Sequence, residues 1–157
     1  DLRGMDPEAI EIRGVPLADR DEMVRARMLV HDGPTDALLR TWEAALAAPP
    51  WPGPPWWLHV DPHSRNMVSG EHGLAGLIDF GALTSGDPAN DLATAWWTFG
   101  PADRARFVAR ADAAGRYDEH VWTRAAGWAA AFASAILPGT PLTPVAQHTA
   151  QQLTLVD

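Results

Sequence analysis

Between Pro49 and Pro55 the chain reads Pro-Pro-Trp-Pro-Gly-Pro-Pro, and this run limits the possible folds more than any other feature. Each proline lacks an amide donor and has its φ fixed at about −65°, so the run sustains neither helix nor ladder hydrogen bonds and has to be an extended connection. The fold must therefore be built from what stands on either side. Before the run the pattern is helical. Met23, Val24, Met28 and Leu29 fall at helical spacing within 19–31, with Asp19 or Asp21 placed to cap the start. After Gly33-Pro34, Thr35 is placed to cap a second helix whose Leu38, Leu39, Trp42, Ala45 and Leu46 share one face. The opening segment, 1–19, has neither a helical nor a strand period.

Past the prolines the character changes. Trp56–His59, Asn66–Val68 and Leu74–Ile78 are short apolar runs separated by Gly, Pro and polar residues, which predicts small strands with a hairpin turning between Ser69 and Gly73. From Pro88 onward the helical pattern returns over 88–99, 101–113, 118–137 and 141–155. Pro88, Pro101 and Pro141 suit first turns, and Pro138-Gly139 stops the third segment. The expected fold is mainly α with a small β-hairpin element, an α+β domain. A folded domain of 157 residues buries roughly 70% of its unfolded surface, and 46% hydrophobic residues with eight tryptophans supply a core.

Composition excludes several functions. Without cysteine there is no disulfide, thiolate metal site or thiol nucleophile. No apolar stretch approaches the roughly 20 residues of a membrane helix, so no membrane partner is expected and a cytoplasmic location is. All twelve basic residues are Arg, and 20 acidic residues bring the net charge to −8, a surface that repels nucleic acid and favours cationic ligands.

Chemistry concentrates in the strand region. Asp61 lies in a loop just after a short apolar strand, Asn66 stands five residues later, and Asp79 ends another apolar strand ahead of a Phe-Gly turn. Phosphoryl transfer from ATP uses such a set: one carboxylate to orient a hydroxyl and accept its proton, and oxygen ligands for Mg²⁺ beside the phosphates. Kinases show the same spacing, with His-x-Asp, an Asn five residues on and a later Asp-Phe-Gly.

His59-Val60-Asp61-Pro62-His63-Ser64-Arg65-Asn66 resembles the His-Gly-Asp-x-His-x-x-Asn motif of aminoglycoside, macrolide and choline kinases. Ile78-Asp79-Phe80-Gly81 is similar to their metal-binding strand end, and Gly86-Asp87-Pro88-Ala89-Asn90-Asp91-Leu92-Ala93 to the helix start that follows. Flanking segments such as Arg13–Leu17, Trp42–Leu46 and Trp122–Trp128 carry the resemblance over nearly the whole chain. It implies a protein-kinase-like fold and an ATP- and Mg²⁺-dependent phosphotransferase acting on a hydroxyl of a small, aminoglycoside-like and possibly cationic molecule. Carried across, Asp61 is the catalytic base, Asn66 and Asp79 are the Mg²⁺ ligands, and His63 faces the transferred phosphate. His59 packs and hydrogen-bonds behind the loop, and Asp91 holds the loop by accepting backbone N–H bonds.

Two departures stand against this pattern. Val60 replaces the usual Gly, and a β-branched side chain restricts the loop. The chain also has no Lys and no Gly-rich phosphate-covering hairpin near its start. Residues 1–157 are therefore expected to form the carboxy-terminal lobe alone, the amino-terminal ATP-binding lobe being absent and required for activity. The alternative is a catalytically inactive stand-alone remnant that serves as a binding or interaction module.

Other readings of the same residues are plainer. Asp87 binds substrate or merely turns the chain into a helix, and Gly-Asp-Pro favours the turn. His63 is a phosphate contact or a solvent-exposed loop residue. Trp96, Trp97, Trp122 and Trp128 read as core, and His31, His72, His120 and His148 as surface or packing residues. His59, Asp61 and His63 alternate as zinc ligands do, but Pro62 breaks the strand that would align them.

Overall fold

The computed structural model describes residues 15–30, 34–136 and 138–155. The opening residues through 14 and His31 lie outside these. Seven helices and four short strands are present among the described residues: α1 Asp21–Leu29, α2 Thr35–Ala47, β1 Trp56–Leu58, β2 Met67–Gly70, β3 Gly73–Leu77, β4 Thr84–Gly86, α3 Ala89–Leu92, α4 Thr94–Thr98, α5 Pro101–Asp112, α6 Val121–Ala135 and α7 Thr143–Thr154. The domain is mostly helical with small antiparallel sheets. No helix among the described residues is long and apolar enough to cross a membrane.

The core is the seam of α2 and α6, with α1, α3, α4 and α7 closing around it. Leu38, Trp42 and Ala45 of α2 are buried against the Ala-rich face of α6. Gly127 permits the approach: a Cβ built there would collide with Ala45 Cβ. The indole of Trp42 is fully enclosed, and its N–H donates to Asp21 Oδ1 at 2.8 Å. Asp21 therefore does not cap α1. It is the first helical residue, shared between Trp42 and Arg25 Nε at 2.7 Å, and a buried indole donor needs its acceptor more than a solvated helix end does. Thr35 likewise begins α2 rather than capping it, the cap position being Pro34.

The proline run crosses the surface as an extended link into β1. β2 and β3 form the expected hairpin, turning at Glu71-His72, with an irregularity in register between Val68 and Ser69. β1 does not join it. It pairs instead with β4, Trp56 opposite Gly86 and Leu58 opposite Thr84, so there are two two-stranded sheets. The segment expected as one helix over 88–99 is broken at Ala93 into α3 and α4, where Trp96 N–H bonds back to Ala93 O at 3.0 Å in a tighter turn. Pro144, not Pro141, occupies the first turn of α7.

Candidate active site

After β1 the chain runs through His59-Val60-Asp61-Pro62-His63 into a 3₁₀ turn at Ser64–Asn66 and then β2. The short helix α3 grips this loop. Asp91 Oδ2 accepts the His59 N–H at 2.8 Å and Oδ1 the Val60 N–H at 2.7 Å. Burial pushes the Asp91 carboxyl above its ordinary pKa, opposed by those two amides and by His59. From α4, the Thr94 hydroxyl donates to the Pro62 carbonyl at 2.7 Å. The break at Ala93 thus puts two successive short helices on one loop.

Val60 has φ 64°. In this left-handed region a Cβ crowds the following carbonyl, which is why glycine is at ease there and valine is not. The two N–H bonds to Asp91 keep the loop in that conformation despite the side chain.

The second half of the site is the end of the β2–β3 hairpin. Ile78 N–H donates to Asn66 O at 3.0 Å, extending the hairpin register by one step, and Asp79 follows in the left-handed region at φ 63° with its side chain exposed. His59 ties the halves together. Its Nε2 lies 2.9 Å from the Ile78 carbonyl, which makes that nitrogen the protonated one, and its ring meets Phe80 edge-on at 4.7 Å.

Asp61, Asn66 and His63 are in direct contact. Buried Asn66 donates Nδ2 to Asp61 O at 2.9 Å and to Asp61 Oδ2 at 3.2 Å, so its Oδ1 faces away from Asp61. His63 is not the exposed loop residue of one reading. It is 4% exposed, its ring lies 6.1 Å from that of Phe132, and its Nε2 is 3.4 Å from Asp61 Oδ1. Burial pushes the Asp61 carboxyl above its ordinary pKa; His63, His59 and the Asn66 amide pull it down, and the nearby Asp79 charge pushes it up. Asp79 is thus close enough to be felt at Asp61, although no hydrogen bond joins them among the described residues.

The two histidines that alternate with Asp61 do not converge as zinc ligands would, one facing the Ile78 carbonyl and the other Asp61. Among the described residues no group of three or more His, Cys, Asp or Glu gathers as a metal site. Asp87 is engaged elsewhere: its Oδ1 accepts the Ala89 N–H at 2.9 Å in the turn before α3, whose cap position is Pro88, and it pairs with Arg124, which also bonds Asp118 Oδ2 at 2.6 Å and the Pro49 carbonyl at 2.8 Å. Two residues escaped sequence reasoning, Thr94 at the site and Arg124 in the scaffold behind it. Thr94 had no signal beyond being polar in an apolar helix. Arg124, the single charged residue between Val121 and Leu137, stood out as a charge that would need partners if buried.

A helical domain that collects a carboxylate, an amide and a second carboxylate at one loop and one hairpin end has the parts of a phosphoryl-transfer centre. The sequence profile described as "Phosphotransferase enzyme family" matches residues 3–128, and the chain belongs to that family. No curated protein and no solved structure matches it.

Proposed function

We propose that this chain carries the base and metal side of an ATP-dependent O-phosphotransferase of kinase-like fold, with a small-molecule hydroxyl as acceptor. The observation that carries the reading is the contact of Asp61 with Asn66, joined through the Asn66–Ile78 bond to Asp79. Asp61 is the base. Its carboxylate is anchored on one oxygen by the Asn66 amide, lies beside His63 on the other, and has its basicity raised by burial. The acceptor's O–H proton passes to Asp61 as its oxygen bonds to the γ-phosphorus and the bond from that phosphorus to the β,γ-bridging oxygen breaks, leaving ADP.

Asn66 Oδ1 and the Asp79 carboxylate suit Mg²⁺, being hard oxygen donors, one left free of Asp61 because the amide nitrogen faces it and the other exposed at a hairpin end. Mg²⁺ held there supplies neutralisation of phosphate charge. His63, buried and beside Asp61, is placed to offset charge on the transferred group. The chain holds no Lys, so within these residues the phosphates lack the ammonium partner that the kinase arrangement uses, and we assign to the chain the role of the base- and metal-bearing lobe.

The test is product mass. Full-length protein, in which an ATP-binding lobe joins this one, incubated with Mg-ATP and a panel of hydroxylated small molecules should yield a phosphate ester, and Asp61→Ala should reduce its rate by about 10²- to 10⁴-fold, the usual contribution of a general base. An ester formed equally fast by Asp61→Ala sinks the assignment.

A further inference from the structure

The net charge of −8 favours cationic ligands as a property of the whole surface, yet the cavity beside the catalytic loop is lined quite differently. This cavity, of about 350 Å³, lies between α1, α3, α4 and α6, and Val60, the residue before Asp61, is part of its wall. Phe132, another wall residue, packs on Trp97 with ring centroids 4.5 Å apart and on His63. The cavity therefore abuts the loop that bears the base.

Among the described residues its lining contains no Asp and no Glu. Arg20 and Arg27 of the α1 region stand in it, and neither pairs with a carboxylate among the described residues. Asn90 contributes a side chain that makes no hydrogen bond among the described residues. Trp97 and Trp128 complete the wall with their aromatic rings. The wall thus holds positive charge and an amide over an aromatic floor. Among the described lining residues a polyamine would find no carboxylate partner and two like charges instead, whereas a flat apolar body bearing a carboxylate meets stacking surface, guanidinium and the Asn90 amide.

We infer that this cavity binds a hydroxylated, largely apolar or aromatic molecule carrying an anionic group, and that such a molecule, not a polycation, is the phosphoryl acceptor. The word acceptor rests on the phosphotransferase reading; the ligand class rests on the cavity alone.

Isothermal titration calorimetry of the chain, without nucleotide, separates the two. The probes are 6-(hydroxymethyl)-2-naphthoate and its cationic counterpart, 6-(aminomethyl)-2-naphthalenemethanol. The carboxylate should bind at least about tenfold more tightly. The double variant Arg20→Gln with Arg27→Gln, which alters the cavity's charge with little demand on the core, should bring the two affinities within about threefold. Equal or tighter binding of the amine, a preference unchanged in the double variant, or binding of neither probe overturns the proposal. With Mg-ATP and the chain joined to an ATP-binding lobe in the full-length protein, binding of the naphthoate without turnover upholds the ligand class and removes the phosphotransferase reading. Phosphorylation of the amine in preference to the naphthoate does the reverse.

Discussion

Val60 offers an inverted stability order. At an ordinary buried or surface position Ala is more stable than Gly by roughly 0.5–1 kcal/mol, because Gly has more backbone freedom to lose. Val60→Ala and Val60→Gly both remove the two half-buried side-chain methyls from the cavity wall, and only the Cβ differs between them, so most of that loss cancels. What does not cancel is the backbone. At φ 64° an L-residue carries about 1–2 kcal/mol of strain that Gly escapes and Ala retains. Subtracting the entropic cost leaves Val60→Gly more stable than Val60→Ala by about 0.5–1 kcal/mol. For a domain of this size that is a difference of about 1–4 °C in Tm. Paired urea titrations of the two variants measure it directly, since each midpoint reports on the same unfolding. If Val60→Ala equals or exceeds Val60→Gly in stability, the loop is not held in the left-handed conformation and the strain reasoning fails.

Asp91→Ala strips the acceptors from two loop amides and should cost about 2–4 kcal/mol in denaturant unfolding, with kcat falling more than the stability loss alone explains. Arg124→Met leaves Asp87 and Asp118 without their cation and should cost about 3 kcal/mol. The Arg124 bond holds the Asp118 carboxyl below its ordinary pKa, so this contribution is full above the usual carboxylate range and fades as pH falls through the depressed value. The gap between wild type and Arg124→Met should therefore narrow in acid. His63→Gln removes a group that pulls the Asp61 pKa down, so the acid limb of the rate profile, where activity is lost as Asp61 protonates, should move to higher pH. An unmoved limb would mean that Asp61 and His63 do not share the site.

What could be read in advance was what short-range chemistry controls. The proline run, the apolar face of α2 and the Gly-bounded hairpin each follow from local backbone and periodicity. β4 did not, because Thr84–Gly86 has no alternation to reveal a strand and finds its partner β1 28 residues earlier, across the hairpin. The caps at Asp21 and Thr35 failed because a buried indole competed for one carboxylate and a proline took the other cap position. Within the site, the spacing of Asp61, Asn66 and Asp79 was visible, and the family resemblance already pointed to His59 behind the loop and Asp91 on its amides, but Thr94, which reaches the Pro62 carbonyl from 32 residues away, was not. The positive φ of Val60 was equally hidden, since valine is among the last residues from which one would infer it.

The central claim divides labour: Asp61 takes the proton, while Asn66 and Asp79 hold the metal. Water-proton relaxation with Mn²⁺ and ATP, read beside turnover on Asp61→Asn and Asp79→Asn in the full-length protein, tests it most directly. Asp61→Asn should keep metal-nucleotide binding within about threefold while losing turnover by at least about 10²-fold, and Asp79→Asn should lose both. Full turnover in Asp61→Asn, or unchanged metal binding in Asp79→Asn, would contradict the division.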